Sequence, residues 1–350
     1  MAGQGKSLPP KLRRKARQAA GKQPKAAPDA KQNSQTGQQA PSANTNHPSP
    51  GLPVRLPGGL LDALPLLQCP LCSQPLRPRG HSLVCRRDHC FDVSAKGYVN
   101  FVPGRAPARE YDAVSFTHRR RFLMAGFYDH IVEGILDALG SSGPQHVLDA
   151  GCGDGFFARR IASATEARVL ALDNAREAIQ TAVRGEAATT ESTGNRTAPA
   201  QDARALICWM VGDLARLPLK AGAVDVVLNA FAPANYGQFA RVLAPGGRVI
   251  KLVPGNRHLQ QLRQAAREQL RGETYESSRV VDYFTQHLQL VEQRTLTATL
   301  PLEGEALDDL LAMTPLLFGA DRAAIDRRCL DHITIEAELL VGEAQGRMPR

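Results

Sequence analysis

The sequence is poor in aromatic residues and has no long apolar run. Aromatic residues make up 5% of its 350 residues and include a single Trp, although hydrophobic residues together reach 43%. There is no run of about 18 consecutive apolar residues, which excludes a membrane-spanning helix of the usual length. The basic N-terminal segment also lacks the apolar stretch of a secretory leader. We therefore expect a cytoplasmic protein with an aliphatic core, long enough for one large domain and a small module.

Acidic residues are almost absent from the first 50 positions. This segment has nine Lys or Arg residues and one acid, Asp29, which gives it a net charge of +8. The whole chain carries +9, so the rest of it is close to neutral. Little apolar periodicity accompanies these charges, which predicts disorder. The segment fits either an arm that contacts a polyanion such as RNA or a solubilising extension. A transit peptide fits less well, because the basic residues have no apolar face.

The seven cysteines are odd in number and clustered, which argues against a disulfide framework and for a reduced compartment. Cys69 and Cys72 form one C-x2-C pair, and Cys85-x3-His89 follows after 12 intervening residues. Four S or N ligands on two short loops suit tetrahedral Zn²⁺. Cys90 also lies within ligand spacing and competes with His89 for the fourth position. So small a module has no core of its own, so zinc binding would supply its folding free energy.

Apolar strands alternate with helices in the remainder of the chain, which predicts a mostly parallel sheet covered on both faces. The predicted organisation is a disordered tail and linker at 1–66, a zinc module at 67–105, a helical linker at 106–142 and an α/β domain at 143–345. Residues 184–204 are predicted to be a surface insertion. Seven strands are predicted, at 147–148, 169–172, 207–211, 224–228, 248–253, 288–299 and 332–341.

Candidate ligand-binding residues follow these strands, and ligands bind at the carboxyl ends of parallel strands. Asp149 and a loop with Gly151, Gly153 and Gly155 follow the first strand. Three further polar residues follow the second, third and fourth strands in turn: Asp173, Asp213 and Asn229. Asp173 lies 22 residues after Gly151, where an acid can bind ribose hydroxyls.

The glycine loop favours S-adenosylmethionine over a nicotinamide dinucleotide. The dinucleotide fingerprint G-x-G-x-x-G requires a third glycine where this chain has Phe156. Asp149 and Asp154 would repel a pyrophosphate at this loop, but they suit the sulfonium and amino groups of S-adenosylmethionine. Each Asp taken alone could equally be a turn or cap residue. The prediction therefore depends on the set as a whole, including Pro245-Gly-Gly247.

Together these motifs resemble the RlmA-type 23S rRNA (guanine-N1-)-methyltransferases over residues 68–345. The Lys96-Gly-Tyr-Val-Asn100 stretch after a four-ligand cluster is more specific than the glycine loop, which many methyltransferases share. The other matching segments are Cys69-Pro-Leu-Cys72, Cys85-x3-His89, Phe91-Asp92, Arg119-Arg120, Ala125-Gly126 with Tyr128, Leu148-Asp-x-Gly-Cys-Gly-x-Gly155, Ala232-Pro233, Pro245-Gly-Gly247, Pro254-Gly-x-Arg-His-Leu259 and Met313-Thr-Pro315.

The resemblance implies a zinc ribbon that helps to grip a ribosomal RNA hairpin, followed by a Rossmann-like class I methyltransferase domain, in a homodimer. It implies zinc ligands at Cys69, Cys72, Cys85 and His89. RNA contacts are expected from Arg119, Arg120, Arg257 and His258. The expected cofactor-binding residues are Asp149, Gly151, Cys152, Gly153, Asp173, Asn174, Asp213, Leu214 and Asn229.

Several features depart from the family pattern or leave its function open. The basic tail and the 184–204 insertion lie outside the pattern, and the Asn229-Ala-Phe231 loop differs from the polar-aromatic version expected there. No general base is identified, although Asp213 and Asn229 are expected nearby. Two alternative functions are a small-molecule methyltransferase with a protein-binding ribbon and a non-catalytic zinc-ribbon adaptor. RNA affinity that falls with salt would favour the RNA methyltransferase over the small-molecule methyltransferase. Binding of S-adenosylmethionine would favour the RNA methyltransferase over the non-catalytic adaptor.

Overall fold

The computed structural model describes residues 56–102, 113–140, 143–188, 206–270, 278–317 and 320–344. Within these ranges the chain forms eleven strands and nine α-helices. No helix in the described part of the chain is both long and apolar enough to cross a bilayer. The predictions for the N-terminal 55 residues, and for most of the 184–204 insertion, fall outside the described residues. The exception is 184–188, which belongs to a helix at Arg176–Ala188 instead of a loop.

The zinc module is a three-stranded antiparallel sheet in the order β1-β2-β3. Its strands are β1 (Arg77–Arg79), β2 (Ser82–Val84) and β3 (Cys90–Asp92). Each strand has only three residues, too few to bury a core of its own. The two ligand loops flank this small sheet.

An eight-stranded sheet forms the body, in the order β10-β11-β9-β8-β5-β6-β7-β4. The strands from β4 to β9 pair in parallel, and β11 is antiparallel to both of its neighbours, β9 and β10. All seven predicted strands are present in it. The eight are β4 (Tyr98–Asn100), β5 (His146–Ala150), β6 (Arg168–Asp173), β7 (Ile207–Val211), β8 (Val224–Ala230), β9 (Leu243–Pro254), β10 (Leu288–Pro301) and β11 (His332–Ala344).

The eighth strand, β4, was not predicted and belongs to the Lys96–Asn100 motif. Tyr98 pairs with Trp209 and Asn100 with Val211 of β7. The backbone N–H of Phe101 also donates to the carbonyl of Val211 at 2.8 Å. The prediction of seven strands was therefore one short, because the end of the zinc module extends the methyltransferase sheet.

Two apolar layers cover the sheet. One contains α3 (Asp129–Leu139), α4 (Phe156–Ala164) and α7 (Gln260–Ala265). The opposite layer contains α6 (Tyr236–Val242) and α8 (Ser278–Thr285) together with apolar residues of the zinc module. The other helices are α1 (Gly58–Ala63), α2 (Ala113–Phe122), α5 (Arg176–Ala188) and α9 (Gly304–Met313).

The linker predicted at the end of the 1–66 segment forms regular structure. Residues Gly58–Ala63 form α1, and a 3₁₀ turn follows at Leu64–Leu66. Leu56 and Leu60 are buried in the same apolar layer as Met210 of β7. Apolar residues in this short Pro- and Leu-rich stretch therefore pack on the sheet, which a local composition argument does not detect.

The predicted helical linker is two helices rather than one. A π-helical segment at Leu123–Phe127 separates α2 from α3, and Gly126 within it has a left-handed φ of 91°. Glycine adopts this conformation without the Cβ clash that penalises other residues. The kink turns α3 so that its apolar face, with Ile131 and Ile135, is buried against the sheet.

Candidate functional site

The predicted zinc ligands come together in one cluster. The ligand atoms of Cys69, Cys72, Cys85 and His89 all lie within 4.8 Å of one another. The Sγ atoms of Cys69 and Cys85 are each 3.4 Å from His89 Nδ1, and Cys72 Sγ is 3.6 Å from Cys85 Sγ. Such ligand separations fit a tetrahedral ion with Zn–S and Zn–N bonds of about 2.0–2.3 Å.

Cys90 is not part of this cluster. Its side chain is exposed, and the residue pairs with Val84 in the small sheet. His89, and not Cys90, therefore completes the four-residue cluster that could hold a metal ion. The backbone also favours a thiolate at Cys85: burial opposes ionisation, but N–H groups of Arg87 and His89 lower the pKa of this thiol to about 7.

The zinc module and the main sheet share one apolar core. Leu67, Leu83 and Phe91 of the module belong to the same buried cluster as Leu148 and Met210 of the sheet. The backbone N–H of Gln68 donates to Pro218 O at 2.9 Å, and that of Lys220 donates to Leu66 O at 2.9 Å. Loss of the metal would therefore disturb the methyltransferase body as well.

The glycine loop turns at the carboxyl end of β5. Gly151, Gly153 and Gly155 have left-handed φ angles of 85°, 56° and 75°. A Cβ on Gly151 would lie 2.5 Å from Ala232 Cβ, and one on Gly155 would lie 2.4 Å from the Trp209 ring. A Cβ on Gly153 would have no neighbour within 4 Å. Two glycines thus permit close packing, and the middle one borders open space.

Asp173 fixes the loop from the end of β6. Its Oδ2 accepts a hydrogen bond from Gly153 N at 2.9 Å, and its Oδ1 accepts one from Ala175 N at 2.8 Å. The backbone N–H of Gly212 donates to Asp173 O at 2.9 Å. These bonds join the loops after β5, β6 and β7 into one edge, as predicted for parallel strands.

Two buried carboxyl groups give this edge a negative character. Asp149 and Asp154 are each 1% exposed, and one oxygen of each has no hydrogen-bond partner in the described part of the chain. Burial, together with the neighbouring Asp173 and Asp154, raises the pKa of Asp149 to about 7. Arg119 Nε lies 3.9 Å from Asp154 Oδ1. A cationic ligand would relieve this repulsion, and a pyrophosphate would increase it.

The remaining predicted cofactor residues lie along the same edge. Cys152 is buried, and Asn174 is half-buried after β6. Asp213 is exposed after β7 with Leu214 half-buried beside it, and Asp213 Oδ1 accepts a hydrogen bond from Ala215 N at 2.9 Å. Asn229 is fully buried, and its Nδ2 donates to Ala150 O at 2.6 Å and to Pro233 O at 3.1 Å. Asn229 thus ties the end of β5 to the loop after β8.

The predicted RNA-contact residues are mostly engaged within the protein. Arg119 faces Asp154, and Arg120 Nη2 donates to Gly185 O at 3.2 Å. Arg257 pairs with Glu336 at 2.8 Å but leaves 59% of its side chain exposed.

The structure argues against a phosphate contact at His258. This side chain is 8% exposed, and its Nδ1 accepts a hydrogen bond from Glu336 N at 3.2 Å. Burial and the neighbouring Arg263 lower the pKa of His258 to about 4. A buried, neutral imidazole offers no positive charge to a phosphate, so the prediction for this residue is corrected.

A cavity of about 350 Å³ opens beside the glycine loop. It lies between the loop after β8, the carboxyl end of β9 and helix α8, and Phe231, Lys251 and Tyr283 are among its lining residues. Its location at the carboxyl ends of β8 and β9 fits an acceptor site. A larger cavity of about 440 Å³, around Gln145 and Asp225, lies at the amino ends of β5 and β8 and so away from the glycine loop.

Two family models match the chain. The model "RlmA, N-terminal", a zinc ribbon, matches residues 67–106, and "Methyltransferase domain" matches residues 147–247. The chain is 31% identical over 288 residues to the protein named "Putative 23S rRNA (guanine-N(1)-)-methyltransferase YxjB" of Bacillus subtilis (strain 168). The match covers 79% of this chain and 96% of that protein. The chain belongs to the RlmA-type methyltransferase family.

Two further relatives span both modules. The "Putative 23S rRNA (guanine-N(1)-)-methyltransferase" of Micromonospora griseorubida is 32% identical, with 76% of this chain and 92% of that protein covered. The 23S rRNA (guanine(748)-N(1))-methyltransferase of Streptomyces fradiae is 31% identical, with 75% and 89% covered. The RlmA-type resemblance inferred from the sequence motifs is confirmed.

Lys251 and Tyr236 were missed as candidate site residues. Lys251 interrupts an otherwise apolar strand, Val249-Ile-Lys-Leu-Val253, and this break in the pattern could have drawn attention to it. Tyr236 had no such sequence signal, because an aromatic residue at the start of a helix is ordinary core material. Only the packing of α6 against α8 places Tyr236 beside the cavity.

Proposed function

We propose that this RlmA-type protein transfers a methyl group from S-adenosylmethionine to N1 of a guanine in a 23S rRNA hairpin. The observation that carries the proposal is the match to the Bacillus subtilis relative, which spans the zinc ribbon and the methyltransferase domain together. The small-molecule alternative would not require the ribbon to share a core with the catalytic body.

The proposed cofactor site follows the edge from β5 to β8. It consists of Asp149, Gly151, Cys152, Gly153, Asp173, Asn174, Asp213, Leu214 and Asn229. The open space at Gly153 and the two buried carboxyl groups fit a ligand that is positively charged and comes close to the backbone. The rigidly held Asp173 is suited to ribose hydroxyls.

When bound, S-adenosylmethionine supplies an electrophilic methyl group. The protein contributes orientation, because Asn229 fixes the loop after β8 relative to β5. Asp154, and Asp149 once it is deprotonated, would place negative charge beside the loop in a buried setting, where charge acts more strongly than in water. Arg119 approaches Asp154 and limits the cost of its burial.

The proposed RNA surface includes the zinc ribbon and Arg257. The charge of the basic N-terminal segment would add attraction to RNA phosphates. Arg119 and Arg120 remain in the proposal as residues that position the α2 segment near the site, since both have partners within the protein. We propose that the protein acts in the cytoplasm, where its ribosomal substrate is. We also propose that it is a homodimer, which light scattering would detect.

The test is methylation of 23S rRNA that lacks the N1-methylguanine mark. The purified protein, S-adenosylmethionine and this RNA should yield N1-methylguanosine after nuclease digestion, detected by mass spectrometry. A hairpin fragment with the target guanine replaced by adenine serves as the control. Absence of methylation of the RNA, with cofactor binding intact, would reject the proposed function.

A further inference from the structure

Lys251 places a buried amine in an apolar part of strand β9. It lies within β9 between Ile250 and Leu252, and only 4% of it is exposed. Its Nζ donates to Asn229 Oδ1 and to Ala232 O, each at 2.5 Å. No acid pairs with it in the part of the chain that the structure describes. A buried lysine held only by neutral acceptors has little to stabilise its charged form.

The two hydrogen bonds are compatible with an uncharged amine. An –NH₂ group has two N–H donors, which match Asn229 Oδ1 and Ala232 O, and one lone pair that remains free. Burial lowers the pKa of Lys251 to about 8. Near neutral pH the amine can therefore exchange a proton at modest cost, whereas an exposed lysine stays charged.

Among the described residues, no titratable group on the neighbouring elements forms an ion pair with Lys251. On β11 the residue opposite Lys251 is Leu340, and the nearest acid in register is Glu338, opposite Val253. Glu338 accepts hydrogen bonds from Thr295 and Gln293 of β10. Helices α6 and α8 contribute the phenols of Tyr236 and Tyr283 to the same cavity.

One wall of the cavity that Lys251 lines lies against the cofactor loop. Ala232, which accepts a hydrogen bond from Lys251, also lines this cavity. A Cβ on Gly151 would lie 2.5 Å from Ala232 Cβ, so the cavity wall lies directly against the glycine loop. An acceptor in this cavity would thus lie next to the proposed cofactor site.

The lining of the cavity suits a flat heterocycle with polar edges. Phe231 and Tyr283 provide aromatic surface, and Tyr283 is half exposed. Tyr236 is 3% exposed, and its hydroxyl has no hydrogen-bond partner among the described residues. An unsatisfied buried hydroxyl is uncommon in a native protein, and a bound ligand is one cause of it. A nucleobase stacks on aromatic rings and offers polar edges.

We propose that Lys251 is the base that accepts the N1 proton of a guanine bound in this cavity. The inference rests on the proposed function. The guanine N1–H bond breaks and a new Nζ–H bond forms on Lys251. The electron pair on N1 forms the bond to the methyl group, and the S–CH₃ bond breaks with its electron pair remaining on sulfur, which becomes an uncharged thioether. The Lys251 ammonium then returns its proton to solvent.

The test compares Lys251→Arg and Lys251→Met with the intact protein in 23S rRNA methylation. Arginine can donate to the same acceptors but does not lose its proton, and methionine removes the nitrogen. We expect kcat to fall by about 100-fold or more in both variants, the size typical of general-base catalysis. Affinity for the RNA hairpin and for S-adenosylmethionine should change by less than about 3-fold, which is under 1 kcal/mol.

The pH profile separates a base from a structural lysine. In the intact protein, kcat should rise with pH and level off above a pKa near 8, and this inflection should be absent from Lys251→Arg. Lys220 provides the matched control, because its Nζ also donates to a carbonyl, that of Pro65, away from the cavity. Lys220→Arg should keep the kcat and the pH profile of the intact protein.

An NMR titration tests the pKa of Lys251 without bound RNA or cofactor. The ε-carbon NMR resonance of Lys251, identified by its loss in Lys251→Arg, should titrate near pH 8 in the cofactor-free protein. Titration at the ordinary lysine pKa, or full activity of Lys251→Arg, would overturn the inference. If instead the intact protein does not methylate 23S rRNA, the proposed function itself fails. If both variants unfold, the Lys251 resonance is assigned in the intact protein by through-bond correlation to its backbone, and its titration decides.

Discussion

The glycines of the cofactor loop differ in what surrounds them. Gly151 and Gly155 sit against Ala232 and Trp209, so any side chain there collides with the protein itself. Gly153 has the same left-handed backbone but faces open space. A substitution at Gly153 therefore tests whether the proposed ligand occupies the space above the loop.

Substitution of Gly153 by Ala should weaken cofactor binding more than stability. The left-handed φ should cost about 1 kcal/mol of unfolding free energy. The added methyl would occupy the proposed ligand space, so we expect the dissociation constant for S-adenosylmethionine to rise at least about 10-fold, or about 1.4 kcal/mol. Calorimetry and thermal unfolding measure the two effects.

Gly246→Ala is the matched control. Gly246 also has a left-handed φ and no neighbour within 4 Å of a Cβ, but it lies at the amino-end edge of the sheet. It should show the same stability loss with unchanged cofactor affinity. Equal affinities for both variants would mean that the ligand does not occupy the space at Gly153.

Replacement of Asp149 by Asn should change how stability depends on pH. Its pKa of about 7 in the folded state lies above the value of about 4 in the unfolded chain, so the folded state binds more protons between these values. The free energy of unfolding therefore falls as pH rises through this window. Asp149→Asn should remove that loss. At pH 8 this variant should be more stable than the intact protein by up to about 4 kcal/mol.

The same carboxyl group should make cofactor affinity depend on pH. A cationic ligand favours the carboxylate, so affinity of the intact protein should increase as pH rises through 7. Asp149→Asn should bind more weakly at pH 8, with a flat profile. Denaturant unfolding and calorimetry between pH 5 and 8 are the measurements. A pH-independent affinity in the intact protein would contradict this account.

At the scale of elements, two short segments are held by a neighbour rather than by their own propensity. Helix α1 has six residues and β4 has three, and both lie against β7. Isolated helices of this length are unstable in water. Their stability comes from close contact with the sheet, and Gly59 is the point where α1 approaches most tightly.

Substitution of Gly59 by Ala should destabilise the protein. A Cβ at this position would lie 2.1 Å from the backbone oxygen of Ile207, and a strand backbone cannot move aside easily. We expect a loss of about 1–3 kcal/mol of unfolding free energy. Gly58→Ala is the control, because Gly58 is exposed in the same helix and Ala has the better helix propensity. Similar stabilities of the two variants would show that α1 does not pack on β7.

At the scale of the whole molecule, the zinc ribbon and the methyltransferase body behave as one structure. They share an apolar cluster, and β4 links them through the main sheet. We expect a three-stranded module of this size to depend on a bound metal for its folding. Its unfolding would expose apolar side chains of the body, including Leu148 and Met210, and remove the edge strand beside β7.

Loss of the metal should therefore lower the thermal stability of the entire protein. We expect Cys72→Ser, or treatment with a chelator, to reduce Tm in a single transition and to reduce cofactor affinity with it. Cys90→Ser should have no effect, because Cys90 is exposed and outside the cluster. Calorimetry together with zinc analysis checks this. Two separate transitions in the intact protein would contradict a shared core.

Local patterns in the sequence determined the features that depend on neighbouring residues. The spacing of Cys69, Cys72 and Cys85 predicts a zinc cluster, because short loops can hold ligands around one ion. The choice of His89 over Cys90 as the fourth member came only from the structure. The alternation of apolar strands and helices predicted seven of the eight strands of the methyltransferase sheet, and the glycine loop follows from its own φ requirements.

Tertiary structure alone decided the features that depend on which elements meet. It placed β4 in the main sheet, buried His258 as a neutral imidazole and turned Arg119 and Arg120 toward the body. It also enclosed Lys251 beside the proposed acceptor cavity. Burial, and the pKa that it sets, arises from contacts between distant parts of the chain, and no local pattern encodes it.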